Sequence, residues 1–149
     1  MDPDLVAMLI DRDWAPFLTQ ARRLGLGEPE RDGERIDVVV TPGGTDARFR
    51  AALLCDGYDG VAPLLDFADL ETGELGAEHW PRMSNAPYNA ITYAGRNVPI
   101  LCTPGTRGYH LHQSHSSEVH NKSIWALPRQ ASLLGRLMSQ MGSYVGRGL

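Results

Sequence analysis

Cysteine is scarce: Cys55 and Cys102 are the only two in 149 residues, too few for the disulfide framework of a small secreted domain. Long apolar runs are missing too. None approaches the ~20 residues that cross a bilayer, and Met1-Asp2-Pro3-Asp4 offers no basic segment ahead of an apolar one. These absences point to a cytoplasmic chain without a membrane partner. There is no basic block, since 14 Lys and Arg stand against 18 Asp and Glu for a net charge of -4. That balance argues against nucleic acid, whose binding rests on neutralised phosphates. Repeats and low-complexity tracts are absent as well. What remains suits a single domain over residues 1–149: 42% of the residues are apolar and 21% charged, and a chain of this length buries about 70% of its unfolded surface.

Asp2 and Pro3 read as an N-cap and first helical position, and Leu5, Met8 and Leu9 recur at helical spacing. Pro16 either kinks this helix or separates it from a second one, in which Phe17, Ala21 and Leu24 lead to a C-cap at Gly25. After a polar loop over 28–33 the period changes to that of strands. Residues 35–40 and 47–55 form a hairpin, and 62–67 add a third strand to an antiparallel meander. Cys55 reads as core, and Asp66 and Asp69 as solvated carboxylates at a strand end. Residues 68–97, rich in Gly, Pro and Asn, predict an irregular ordered loop whose Trp80, Tyr88 and Tyr93 are candidate contacts for a partner protein or a second copy of the chain. Residues 98–102 read as a short buried strand, 103–108 as a turn and 109–112 as a second extended stretch. Leu134, Leu137, Met138 and Met141 predict a closing amphipathic helix over 128–145, packed on Phe49, Ala51 and Leu53. The expected fold class is α+β.

Four of the five histidines, His110, His112, His115 and His120, fall within eleven residues. On an extended segment His110 and His112 share a face. A turn over 103–108 that folds them back beside residue 101 brings Cys102 to that face, and His115, Glu118 or His120 completes the shell. Thiolate, imidazole and carboxylate donors suit zinc; three leave a position for catalytic water and four make a structural site. The same residues also fit a solvated strand face or a pH-responsive cluster, and Cys102 alone is as readily a small buried hydrophobe as a nucleophile.

The order of elements resembles the ubiquitin-conjugating-enzyme (UBC-like) fold. Tyr58-Asp59-Gly60-Val61-Ala62-Pro63-Leu64-Leu65-Asp66-Phe67 is similar to that fold's Tyr-Pro-x-x-Pro-Pro-x-Val-x-Phe, Cys102 falls where its thioester cysteine lies, and Trp125-Ala126-Leu127-Pro128 is similar to the Trp-x-Pro stretch before its helices. The His-Pro-Asn that supplies the oxyanion-stabilising Asn is replaced by Tyr93-Ala94-Gly95-Arg96-Asn97-Val98-Pro99. An active conjugating enzyme with Cys102 as nucleophile is therefore the alternative reading. Residues from Cys102 to His112 resemble the CEHH family, a metal-binding group encoded beside bacterial ubiquitin-like conjugation genes. That resemblance implies zinc held by Cys102, His110 and His112 with His115 or Glu118 as fourth ligand, the family's Glu lying elsewhere in one version, at Glu78. It also implies an accessory role among conjugation proteins, with a homodimer as a further option. Gly105, His110, His112 and Glu118 also approach the first motif of a cupin barrel, another metalloenzyme alternative. A cupin needs a second histidine-bearing strand downstream, so strands beyond Trp125 favour it and a helix there favours the UBC-like arrangement.

Overall fold

The computed structural model describes residues 2–84, 88–93, 95–101, 105–111, 122–140 and 144–148. Helix α1 (Pro3–Arg23) starts where Asp2 accepts the amide of Asp4 at 2.9 Å. It stops in a Schellman turn: the amides of Gly25 and Leu26 donate to the carbonyls of Arg22 and Ala21, with Gly25 at φ +72. Pro16 lies inside one continuous helix on its exposed side, where losing one hydrogen bond to solvent-facing backbone is least costly. The buried stripe is Val6, Ile10, Phe17 and Ala21. Leu5 and Met8, expected in that stripe, face solvent at 44% and 66% exposure; the apolar face is rotated so that Phe17 and Ala21 continue it.

Strands β1 (Glu30–Asp32), β2 (Arg35–Val40), β3 (Phe49–Leu54) and β4 (Leu64–Ala68) make an antiparallel meander in sequential order. The register sets Ile36, Leu53 and Leu65 in one row and Val38, Ala51 and Phe67 in the next, with Val40 opposite Phe49. Side chains alternate across a strand, so these residues share one face, and all are buried in the same core as the stripe of α1. The alternate positions form the other face, with Arg35, Asp37, Arg50 and Asp66. Asp37 accepts Arg35 through Nε and Nη2 at 2.7 and 3.0 Å and Arg50 through Nε. Asp66, expected to be solvated, is 1% exposed and accepts the Trp80 indole N–H at 2.9 Å and the Phe67 amide at 2.8 Å.

Residues 68–97 are more regular than their composition suggests. They hold a 3₁₀ turn (Ala77–His79), β5 (Pro81–Met83) and β6 (Tyr88–Tyr93), which pairs with β7 (Arg96–Leu101) across Gly95 at φ +78. Trp80, expected among surface aromatics, is fully buried edge-on against Phe67 at 4.7 Å; the side chains of Tyr88 and Tyr93 lie outside the described residues. Three helices follow: α2 (Arg107–Leu111), α3 (Lys122–Trp125) and α4 (Leu127–Gln140). Helix α4 buries Leu134, Leu137 and Met138 as expected, but it packs chiefly on α1 rather than on Phe49, Ala51 and Leu53 of β3, while Met141 lies outside the described residues. The chain does not stay helical to 145. Tyr144–Arg147 is a strand, β8, paired antiparallel with β5, and Gly146 at φ +142 is incompatible with a helix there. This strand beyond Trp125 carries no histidine, so it lacks the second motif that a cupin needs. Among the described residues no helix is long and apolar enough to cross a membrane.

Tyr58 joins these layers. Its ring is fully buried edge-on to Trp125 at 6.0 Å. Its hydroxyl donates to Asp13 Oδ2 at 2.6 Å and accepts the Leu127 amide at 2.9 Å, binding the β3–β4 loop to α1 and to the start of α4. Burial and the hydrogen bond to Asp13 push the phenol up from its ordinary value. The Arg12 guanidinium, more than the Tyr58 hydroxyl, holds the Asp13 carboxyl below 3.8 against the opposing effect of burial. Tyr58→Phe is expected to lower the unfolding free energy by about 2 kcal/mol, since it leaves a buried amide without an acceptor; urea unfolding at neutral pH measures this. The depressed Asp13 carboxyl contributes stability that is complete above its unfolded value and is lost as the pH falls through the lower folded one. The stability difference between wild type and Asp13→Asn should therefore shrink below about pH 4.

Candidate functional site

Gly105 opens the segment that carries the first histidine of the cluster. At φ +124, a Cβ there would stand 3.0 Å from the Ile124 carbonyl and 3.1 Å from Leu133 Cδ1, so both the backbone and the space demand glycine. Its peptide is held on two sides. The Gly105 amide donates to His110 Nε2 at 3.2 Å, and its carbonyl accepts from Gln130 Nε2, which also donates to the Trp125 carbonyl at 2.9 Å. His110 is 3% exposed and Gln130 is fully buried. Because Nε2 accepts, the neutral ring carries its proton on Nδ1. Gln130 Oε1 has no hydrogen-bond partner among the described residues.

The next residues form a helix, where an extended stretch was expected. Thr106 supplies the start signal: its carbonyl accepts the His110 amide at 3.2 Å and its hydroxyl the Tyr109 amide at 3.4 Å. Arg107 locks that helix onto the β3–β4 loop. Its amide donates to the Pro63 carbonyl at 2.8 Å. Its guanidinium reaches the carbonyls of Ala62 at 2.9 Å, Leu54 at 3.3 Å and Asp56 at 2.7 Å, and both carboxylate oxygens of Asp56 at 3.0 and 3.1 Å. The side chain of Arg107 is 7% exposed and that of Asp56 is 62% exposed, so the pair runs from core to rim.

Of the expected metal ligands, His110 alone falls within the described residues. Cys102, His112, His115 and Glu118 lie outside them, as does His120. The stretch expected to be extended is helical through Leu111, and how His112 stands to His110 lies outside the described residues. The fold-back itself has a counterpart: α2 contacts β7, whose last residue, Leu101, directly precedes Cys102. Glu78 is exposed, 3.5 Å from the ring of His79. Cys55 is core as expected, and burial pushes its thiol up to about 12. Among the described residues no three His, Cys, Asp or Glu side chains converge on a metal-sized space. The roles of Gln130 and Arg107 escaped the sequence reading. Arg107 sits in Thr-Arg-Gly, which reads as a solvated turn, and nothing in the helical pattern of α4 marks Gln130 as facing inward.

No protein-family model matches the chain, and none of the curated proteins compared with it matches either.

Replacing Arg107 by Met should cost about 3 kcal/mol of unfolding free energy, because an unmatched buried carbonyl is worth about 1–3 kcal/mol and several share this one donor. Arg107→Lys should cost less, since an ammonium reaches some of the same oxygens. Equal urea midpoints for all three proteins would show that the guanidinium does not anchor α2.

Proposed function

We propose that this chain is a metal-binding accessory protein of a bacterial ubiquitin-like conjugation system, with a UBC-like fold and zinc as its metal. The observation that carries the reading is the contact of α2, bearing buried His110, with β7, which leads directly into Cys102. Cys102 and His110 would be ligands, with His112 and His115 or Glu118 completing the set, and a Cys/His donor set is the one zinc prefers. The His110 ring fits this use chemically, since it is neutral with its lone pair on Nε2, the form that binds a metal. Nε2, which accepts the Gly105 amide, would be the atom through which His110 held the metal. Bound zinc supplies a structural cross-link when four protein ligands fill it and a Lewis acid when a position stays open. The UBC-like part rests on the order helix, four-stranded meander, Cys102, Trp125-Ala126-Leu127-Pro128 and closing helix, together with the burial of Tyr58, Phe67 and Trp125. The β6–β7 hairpin and β8 are additions to that plan. Partners would be conjugation-system proteins or a second copy of the chain.

The test is metal content of protein purified without immobilised-metal chromatography, beside Cys102→Ala and His110→Ala. About one zinc per chain is expected in wild type and loss of it in both variants, with acid releasing the metal and chelator lowering the melting temperature of wild type alone. The thiols give an independent readout. Cys55 is buried and protonated, so alkylation of the native protein reports Cys102, which should react only after chelation. Metal-free wild type with a freely reactive Cys102 would sink the reading. A Cys102-linked, thiol-sensitive adduct with a ubiquitin-like protein would replace it by the conjugating-enzyme alternative.

A further inference from the structure

The face of the meander opposite the apolar core holds a cavity of about 380 Å³, within the roughly 300–1,000 Å³ of small-molecule sites. Its floor is Asp37, 7% exposed, clasped by Arg35 and Arg50. One wall is the turn after β4, where the Gly73 carbonyl accepts Arg35 Nη2 at 2.8 Å. Gly73, at φ +74, lies against the Arg50 guanidinium so closely that a Cβ would meet Nη2, Cζ and Nη1 at 3.1, 3.2 and 3.3 Å. Arg50 is thus immobilised twice, through Nε on Asp37 and under Gly73. With its side chain only 25% exposed, it keeps both Nη groups without an acceptor among the described residues. A guanidinium fixed with that edge open is prepared for a bidentate carboxylate, because the ordering cost of binding has been met in advance.

The opposite side of the cavity is acidic. Glu30 stands across from Asp37, and Asp32 across from Arg35, on the edge strand β1, and neither carboxylate has an ion-pair partner among the described residues. Arg31 also lines the cavity but is engaged by Asp11 and the Gly33 carbonyl. Three arginines and three carboxylates therefore cancel around the rim. A simple anion or cation would meet as many like charges as unlike, whereas a ligand with one of each is matched at both ends. The Arg50 guanidinium lies on Asp37, the residue opposite Glu30 in the register, so the open edge of the fork and the acids of β1 border one cavity.

We propose that this cavity binds a small zwitterion of the amino-acid or short-peptide class, its carboxylate on Arg50 and its ammonium on Glu30 and Asp32. This site is independent of Cys102 and the histidines. Dialanine is the probe, titrated into the full chain by calorimetry and by amide NMR. Saturable binding in the millimolar range or tighter is expected, with shifts at Arg35, Arg50 and Gly73. Dialanine amide and N-acetyl-dialanine, each lacking one of the two charges, should bind at least about tenfold more weakly. Arg50→Lys, which keeps the charge but not the fork, and the double variant Glu30→Gln with Asp32→Asn should weaken binding by a similar factor. The two acids are exposed on a short edge strand, so the double variant carries the test if Arg50→Lys unfolds. No saturable binding, equal binding of the blocked forms, or inorganic phosphate bound as tightly as dialanine would overturn the assignment.

Discussion

The hydroxyl of Tyr58 stands where α1, the β3–β4 loop and the start of α4 meet, and it must be both donor and acceptor there. Asp13 falls in the middle of the apolar stripe of α1, between Ile10 and Phe17. A carboxylate so placed is costly unless its oxygens are matched, and Tyr58 with Arg12 supplies the match. The same oxygen takes the Leu127 amide, one of the first amides of α4, which have no partner within the helix. Further along, the loop's carbonyls at Leu54, Asp56 and Ala62 receive the Arg107 guanidinium, and that of Pro63 the Arg107 amide. One short loop therefore orders α1, α2 and α4, and His110 inherits its position from it.

The two faces of the meander solve different problems. Toward the helices, Ile36, Val38, Val40, Phe49, Leu53 and Phe67 interdigitate in a shared core, where each fully buried large side chain contributes about 1.5–3 kcal/mol. On the reverse face Asp37 is buried at 7% exposure and paired with two guanidiniums. Removing either guanidinium from such a buried charge is more damaging than the net worth of the pair suggests. Gly73 closes over that cluster because nothing larger fits against Arg50, so the turn after β4 is held by charge as well as by its own hydrogen bonds.

How much of this the sequence showed depends on the range of the interactions involved. The meander was readable because alternation in residues 35–40 and 47–55 is a local consequence of one wet or charged face and one dry face. The opening and closing helices were readable from caps and from the spacing of Leu134, Leu137 and Met138. The rotation of α1 was not, since Leu5 and Met8 are as apolar as Val6 and Ile10 and only packing against α4 decides between them. Trp80 and Asp66 misled for the same reason: each looks like a surface residue until the other is present to satisfy it. Residues 109–111 read as extended because His-Leu-His alternates, whereas Thr106 and the anchored Arg107 make the segment a helix. Within the candidate site, composition and clustering singled out His110. Gln130 became visible only through a contact spanning 25 residues.

Nε2 of His110 has one lone pair, and the structure shows it given to the Gly105 amide. Metal binding at that atom and this hydrogen bond therefore exclude each other. Breaking the bond strands a buried N–H, at a cost of about 1–3 kcal/mol, beside a Gln130 whose Oε1 has no partner among the described residues. A structural zinc site returns about 10–16 kcal/mol at neutral pH, so a complete ligand set takes the lone pair easily. An incomplete set, with one or two weak ligands sharing the ion, does not clear the same margin once its own ordering is subtracted. Whether His110 serves Gly105 or a metal is thus decided by the number of ligands that join it, and the Gly105 peptide, held by Gln130 on its other side, is the element that must move when the balance changes.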